Sequence, residues 1–154
     1  MATETRGTRA LRASGVAFTV HTYRHTAKGA IPAAEALGMD PARVAKTLVI
    51  EADGSPAFAV LPGDVELSLK AAARALGAKS AAMAQPAAAE RLTGYVTGGI
   101  SPFGSRKELP VLVEARLMGH PTILVNAGQR GVLVELAPGD LVQAAGGTVA
   151  ELAT

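Results

Sequence analysis

The stretch "KTLVIEADGSPAFAVLP", Lys46 to Pro62, decides the fold class. Two apolar runs flank Asp53-Gly54, a pair that accepts the positive φ angles of a two-residue hairpin turn. Upstream, "VAFTVHTY" (Val16 to Tyr23) has strand composition, and a helix begun at Thr8 or its neighbours precedes it and stops at Ser14-Gly15. "IPAAEALG" (Ile31 to Gly38) and "MDPARVAK" (Met39 to Lys46) each predict a short helix, the second capped by Asp40 with Pro41 just inside. Downstream, "ELSLKAAARALG" (Glu66 to Gly77) sets Leu69, Ala72, Ala73 and Leu76 on one helical face and Lys70 and Arg74 on the other. "QPAAAERLTG" (Gln85 to Gly94) reads as a further capped helix. "PVLVEA" and "TILVNAGQRGVLVEL" are β-rich, and "APGDLVQAAGG" opens a last short helix near Pro138. Hairpins with helices interspersed, instead of strict strand-helix alternation, predict a mixed sheet in an α+β layer architecture. The length fits a single domain, residues 1–154.

Composition narrows the function. The chain of 154 residues is 49% hydrophobic and 18% charged, yet no apolar run approaches the roughly 18 residues of a membrane span, so no membrane partner is expected. Its start, "MATETRGTRALRASG", carries charge where a secretory signal carries its apolar stretch, so the expected location is cytoplasmic. The absence of cysteine removes disulfides, thiolate metal sites and a thiol nucleophile. Of the three histidines, His21 and His25 stand four apart without a nearby third ligand, so no metal is expected. A net charge of +2 is a weak argument for nucleic acid. The clusters Arg6, Arg9, Arg12 and Lys70, Arg74, Lys79 read first as solvated helix faces. With three Phe, two Tyr and no Trp there is little to build a base-stacking platform, so any RNA contact must rest on phosphates, and DNA is not an expected partner.

Two glycine-containing loops remain, "TGYVTGGISPFGSRKELP" (Thr93 to Pro110) and "NAGQRG" (Asn126 to Gly131). Neither matches GxxxxGK[ST] or GxGxxG in a strand-to-helix setting, which argues against nucleotide cofactors bound in those modes; no cofactor is expected. A long loop of small residues exposes backbone N–H groups, and such donors beside cations favour an anion or a developing oxyanion. Lys46 heads an otherwise apolar strand, where burial normally excludes lysine. If the loops meet that strand end, a cation and several donors converge. Ser101 lacks the G-x-S-x-G setting of an activated serine.

The segments "RVAKTLVI", "LKAAARALGAKSAAMA", "TGYVTGGISPFG", "LPVLVE" and "GQRGVLVEL" followed by "GDL" resemble, in order and spacing, the YbaK-type aminoacyl-tRNA deacylases, relatives of the prolyl-tRNA synthetase editing domain. The resemblance runs from about Gly15 to Leu141 and rests on the combination of the lysine before "TLV", the "GGISPxG" loop and the later "RG" turn. It implies a central, largely antiparallel mixed sheet with short flanking helices. It also implies trans-editing: removal of a wrong amino acid, most often cysteine, from tRNA(Pro). Lys46 would be the family's essential lysine, and Gly98, Gly99, Ile100 and Ser101 the catalytic loop facing the aminoacyl ester. Tyr23, Thr47, Asn126, Gly128, Arg130, Gly131 and Asp140 would bind substrate. Many relatives carry serine at Asn126 and an acidic residue at Leu133. In the family the thiol of a cysteinyl substrate is thought to attack its own carbonyl, so that no protein nucleophile is needed. The acceptor end of an aminoacyl-tRNA is the implied partner, with a prolyl-tRNA synthetase as a second. The same fold and charges would also suit a noncatalytic module that binds tRNA or a synthetase.

Overall fold

A computed structural model describes residues 4–154. In chain order the elements are α1 (Arg6–Ser14), β1 (Thr19–Thr22), α2 (Ala30–Leu37), β2 (Ala45–Ala52), β3 (Ser55–Pro62), α3 (Leu69–Ala75) and β4 (Ala81–Met83). They continue with α4 (Pro86–Thr93), β5 (Val111–Glu114), a 3-10 turn (Ala115–Gly119), β6 (Ile123–Gln129), β7 (Val132–Leu136), α5 (Pro138–Ala145) and β8 (Gly147–Ala150).

The hairpin forms as read: β2 and β3 pair antiparallel from Ala45 opposite Pro62 to Ala52 opposite Ser55. Its turn has φ of 49° at Asp53 and 82° at Gly54, the conformation that the Asp-Gly pair tolerates best. Strand pairing divides into two sheets. One has the order β1-β7-β6, and the other β4-β2-β3-β5-β8. All pairs are antiparallel except β3 with β5 and β5 with β8, so the α+β class with mostly antiparallel mixed pairing holds. A single parallel bridge between Val44 and Leu124 links the sheets.

The five-stranded sheet buries both faces, which is why "AFAVL" is apolar throughout instead of alternating. Val49, Phe58, Val60 and Val113 face a core shared with Leu11 of α1, Val125, Val134 and Leu141. Ile50, Ala57, Ala59 and Leu112 face Ala72 of α3 and the C-terminal Leu152. Ala33 and Ala34 of α2 close a third cluster over Val44, Leu124 and Leu133.

Three expectations change. "MDPARVAK" makes one turn, not a helix: Asp40 accepts from the Ala42 N–H as a cap would, but Val44 must already lie beside Leu124 in extended form. β1 is shorter than "VAFTVHTY" because β7 offers partners only from Val132 to Glu135. α1 starts at Arg6, where Thr5 accepts from the Thr8 N–H and Thr8 accepts in return from the Thr5 N–H. The short strands β4 (Ala-Ala-Met) and β8, whose only β-branched residues are Thr148 and Val149, are not expected from the sequence. No helix among the described residues is long and apolar enough to cross a membrane.

Candidate active site

The pocket follows from how the chain enters β2 between the two sheets. Val44, just before the strand, bridges to Leu124 of β6, and the outer edge of β2 pairs with β4 only from Ile50 to Ala52. Between these points the edge has no strand partner, and a cavity of about 410 Å³ opens there. Lys46, Thr47 and Leu48 form one wall, and Ala30 and Ala33 of α2 another. Met83, Pro86 and Ala89 lie on the α4 side, and Thr97, Gly98, Ile100 and Asn126 face them. The lining is mostly apolar with a few polar groups, the usual make-up of a small-molecule site.

Lys46 has no carboxylate partner among the described residues. The Thr47 hydroxyl is buried in the wall beside it and makes no hydrogen bond. A buried polar atom without a partner costs about 1–3 kcal/mol, so a ligand atom has something to satisfy here. Tyr23 also lines the cavity. Burial raises its phenol above the ordinary value, opposed by the Gly131 backbone, so at neutral pH the hydroxyl keeps its proton.

The two glycine loops meet each other. A Cβ on Gly99 would lie 2.9 Å from the Arg130 nitrogen, closer than such atoms approach, and a tight 3.1 Å from the Gln129 carbonyl carbon. Only glycine permits that contact. Asn126 ties the loops: its Nδ2 donates to the Gly98 carbonyl at 3.2 Å, and its Oδ1 accepts from the N–H groups of Gly128 and Gln129. The Arg130 Nε donates to the Thr97 carbonyl at 2.9 Å. Glu90 of α4 accepts from the Thr97 N–H and hydroxyl, which hold its carboxyl below the ordinary range against the opposing effect of desolvation. The Gly99 N–H is used by the Val96 carbonyl, whereas those of Gly98 and Ile100 have no protein acceptor among the described residues.

Among the residues singled out in sequence, Tyr23, Lys46, Thr47, Gly98, Ile100 and Asn126 line the cavity; Gly99 meets Arg130, Gly128 lies against the Tyr95 ring and Gly131 against the Tyr23 carbonyl. Ser101 lies elsewhere. It is fully buried, and its Oγ accepts from the Phe103 N–H at 3.1 Å, which makes it a brace for the loop. Asp140 sits in the first turn of α5 and does not line the cavity. The histidines separate: His21 pairs with Glu135 at 2.8 Å, while His25 lies beside Gly98.

Sequence reading missed the loop's supports. Tyr95 donates its hydroxyl to the Phe103 carbonyl and packs its ring against Gly128. Arg6 donates to the carbonyls of Thr93 and Gly104 and lies 4.9 Å from the Tyr95 ring centre. Arg6 is therefore no part of a solvated face. Lys28 and Met83 also border the cavity, and nothing in their local sequence marks them.

Comparison with known proteins identifies the family. The model of the family described as "Aminoacyl-tRNA editing domain" matches residues 25–144. An Enterococcus faecalis protein named "Putative Cys-tRNA(Pro)/Cys-tRNA(Cys) deacylase EbsC" is 39% identical over 122 residues, which are 79% of this chain and 74% of that protein. A proline–tRNA ligase of Acidithiobacillus ferrooxidans is 38% identical over 86 residues, 56% of this chain but only 15% of the ligase. Among solved structures, "a putative trans-editing enzyme for prolyl tRNA synthetase" superposes with a TM-score of 0.88 at 26% identity, covering 99% of both chains. The family-model match over most of the chain, the 39% identical relative and the shared fold together place the chain in the aminoacyl-tRNA editing domain family.

Proposed function

We propose that the protein is a trans-editing deacylase that removes cysteine from mischarged tRNA(Pro), with cleavage assisted by the substrate. One observation carries the reading: the unpaired Lys46 ammonium, the buried Thr47 hydroxyl and the free N–H groups of Gly98 and Ile100 belong to one cavity whose lining holds no serine or histidine. An aminoacyl ester is already activated, so orientation and stabilisation of the oxyanion suffice. In the proposed step the substrate thiol gives up its proton and its sulfur bonds to its own carbonyl carbon. The ester C–O bond then breaks, the ribose oxygen takes a proton, and a cyclic thiolactone leaves. Lys46 and the loop N–H groups hold the charge that builds on the carbonyl oxygen. Leu133 and Leu48 make the wall apolar where a polar amino acid would need a partner. The reaction belongs in the cytoplasm, with the acceptor end of the tRNA as partner and a prolyl-tRNA synthetase supplying the choice of tRNA that so small a domain lacks.

The test is single-turnover deacylation of Cys-tRNA(Pro), Ala-tRNA(Pro) and Cys-tRNA(Cys) at equal concentration. Cysteine should leave faster than alanine, and in a second run with the tRNA in excess, thiolactone or free cysteine should accumulate beyond the amount of protein. A clear preference for alanine overturns the substrate assignment. Protection of the ester without turnover would identify a noncatalytic binder instead.

A further inference from the structure

The mouth of the cavity carries a second feature. A Cβ on Gly98 would lie 3.2 Å from Lys28 Cβ, 3.3 Å from Arg130 Nε and 3.5 Å from His25 Cε1. Side chains from two separate segments, the stretch between β1 and α2 and the β6–β7 turn, therefore surround one backbone point. Neither Lys28 nor Arg130 has a carboxylate within salt-bridge distance among the described residues. Arg130 engages only its Nε, and its terminal amines make no hydrogen bond among the described residues. His25 Nδ1 is buried and also without a partner. The charge of Glu90 does reach Arg130, but that carboxylate is already held by Thr97. Lys28 and Arg130, gathered at Gly98, repel one another, and an anionic ligand there relieves that repulsion.

Resting on the reading of the cavity as an aminoacyl-ester pocket, we propose that His25, Lys28 and Arg130 form a clamp for the phosphodiester next to the esterified terminal nucleotide. With the ester in the cavity, that phosphodiester is the nearest anion on the substrate. The clamp sets the register of the RNA end by charge and hydrogen bonding, without reading a base. This fits a cavity whose lining contains one aromatic residue, Tyr23. A chain of net charge +2 then engages the RNA end through a few local cations and not through its overall charge.

Anisotropy of a 5′-fluorescein-labelled CCA trinucleotide, titrated over a range of salt, tests the clamp. Lys28→Gln should weaken binding about tenfold and lower the log–log salt slope by about 0.7, the value for one lost phosphate contact on a single strand. Arg130→Gln should do the same, and Lys28→Gln, at an exposed position, decides the matter if the arginine variant loses stability. Lys70→Gln with Arg74→Gln, on the outer face of α3, should leave trinucleotide binding unchanged. Binding within twofold of the unmodified protein in both rim variants, an equal loss in the α3 variant, or no measurable binding by the unmodified protein would each overturn the proposal. Deacylation by the unmodified protein is followed in parallel. Its failure with clamp binding intact counts against the deacylase reading, and normal deacylation without a rim effect counts against the clamp alone.

Discussion

Replacing Gly99 by valine separates a built site from an ordinary turn. The new Cβ would sit 2.9 Å from the Arg130 nitrogen and 3.1 Å from the Gln129 carbonyl carbon, both backbone atoms. Ordinary contact begins near 3.4 Å, so the two loops must part by about half an ångström, and more once the valine methyl groups are counted. Overpacking of this kind costs about 1–3 kcal/mol. Because Asn126 and Arg130 couple the loops through Gly98 and Thr97, the displacement passes directly to the Gly98 and Ile100 backbone. Misplacing catalytic groups by about 1 Å costs on the order of 100-fold in rate. The expected result is a fall in single-turnover deacylation of Cys-tRNA(Pro) by one to two orders of magnitude, with a cooperative thermal transition retained at a lower midpoint. A rate within threefold of the unmodified protein would refute the coupling between loop contact and catalysis.

Ser101→Ala should lower stability by about 1–3 kcal/mol, because the buried Phe103 N–H loses its acceptor, yet reduce deacylation less than tenfold; loss of nearly all turnover in a folded variant would restore a covalent serine mechanism. Glu114 is 2% exposed and accepts from the N–H groups of Arg116, Leu152 and Ala153. Burial alone would raise its pKa, but the three N–H donors and the Arg116 charge outweigh it and hold the carboxyl below its ordinary 4.5. A depressed carboxylate contributes stability that is complete above the unfolded value and is lost as pH falls through the folded one. Glu114→Gln should therefore destabilise by about 1–3 kcal/mol at neutral pH and flatten the loss of stability below about pH 4.5, read by chemical denaturation at several pH values; an unchanged acid limb would contradict this.

Local chemistry made the hairpin, the helix caps and the two glycine loops legible, since Asp53-Gly54, Pro86 and Gly94 act on their immediate neighbours. That Lys46 lines one cavity with Gly98, Ile100 and Asn126 was suggested only by the family pattern, because β2 and the loops lie far apart in the chain. What stayed hidden depended on distant partners. "MDPARVAK" has the signals of a helix start, but the Val44–Leu124 bridge claims the residues that would continue it. β4 is drawn into the sheet by the edge of β2, although Ala and Met give it little strand preference of its own, and β8, with only Thr148 and Val149 to favour a strand, by the edge of β5. Ser101 looked like a site residue from its place in "GGISPFG", whereas α1 covers it: a Cβ on Gly7 would lie 3.2 Å from its Oγ. Arg6 repeats at helical spacing with Arg9 and Arg12, and only the fold directs it to Tyr95 and the loop carbonyls.

The most direct test is Lys46→Ala, followed by single-turnover deacylation of Cys-tRNA(Pro) alongside thermal unfolding. Lys46 stands at the mouth of β2 without a carboxylate partner among the described residues, so its removal should leave the transition midpoint nearly unchanged. The rate should fall by about two orders of magnitude or more, the scale of losing one preorganised contact to the developing oxyanion. Full turnover in Lys46→Ala, or a loss that merely follows unfolding, would contradict the account and return the glycine loop to the role of a turn.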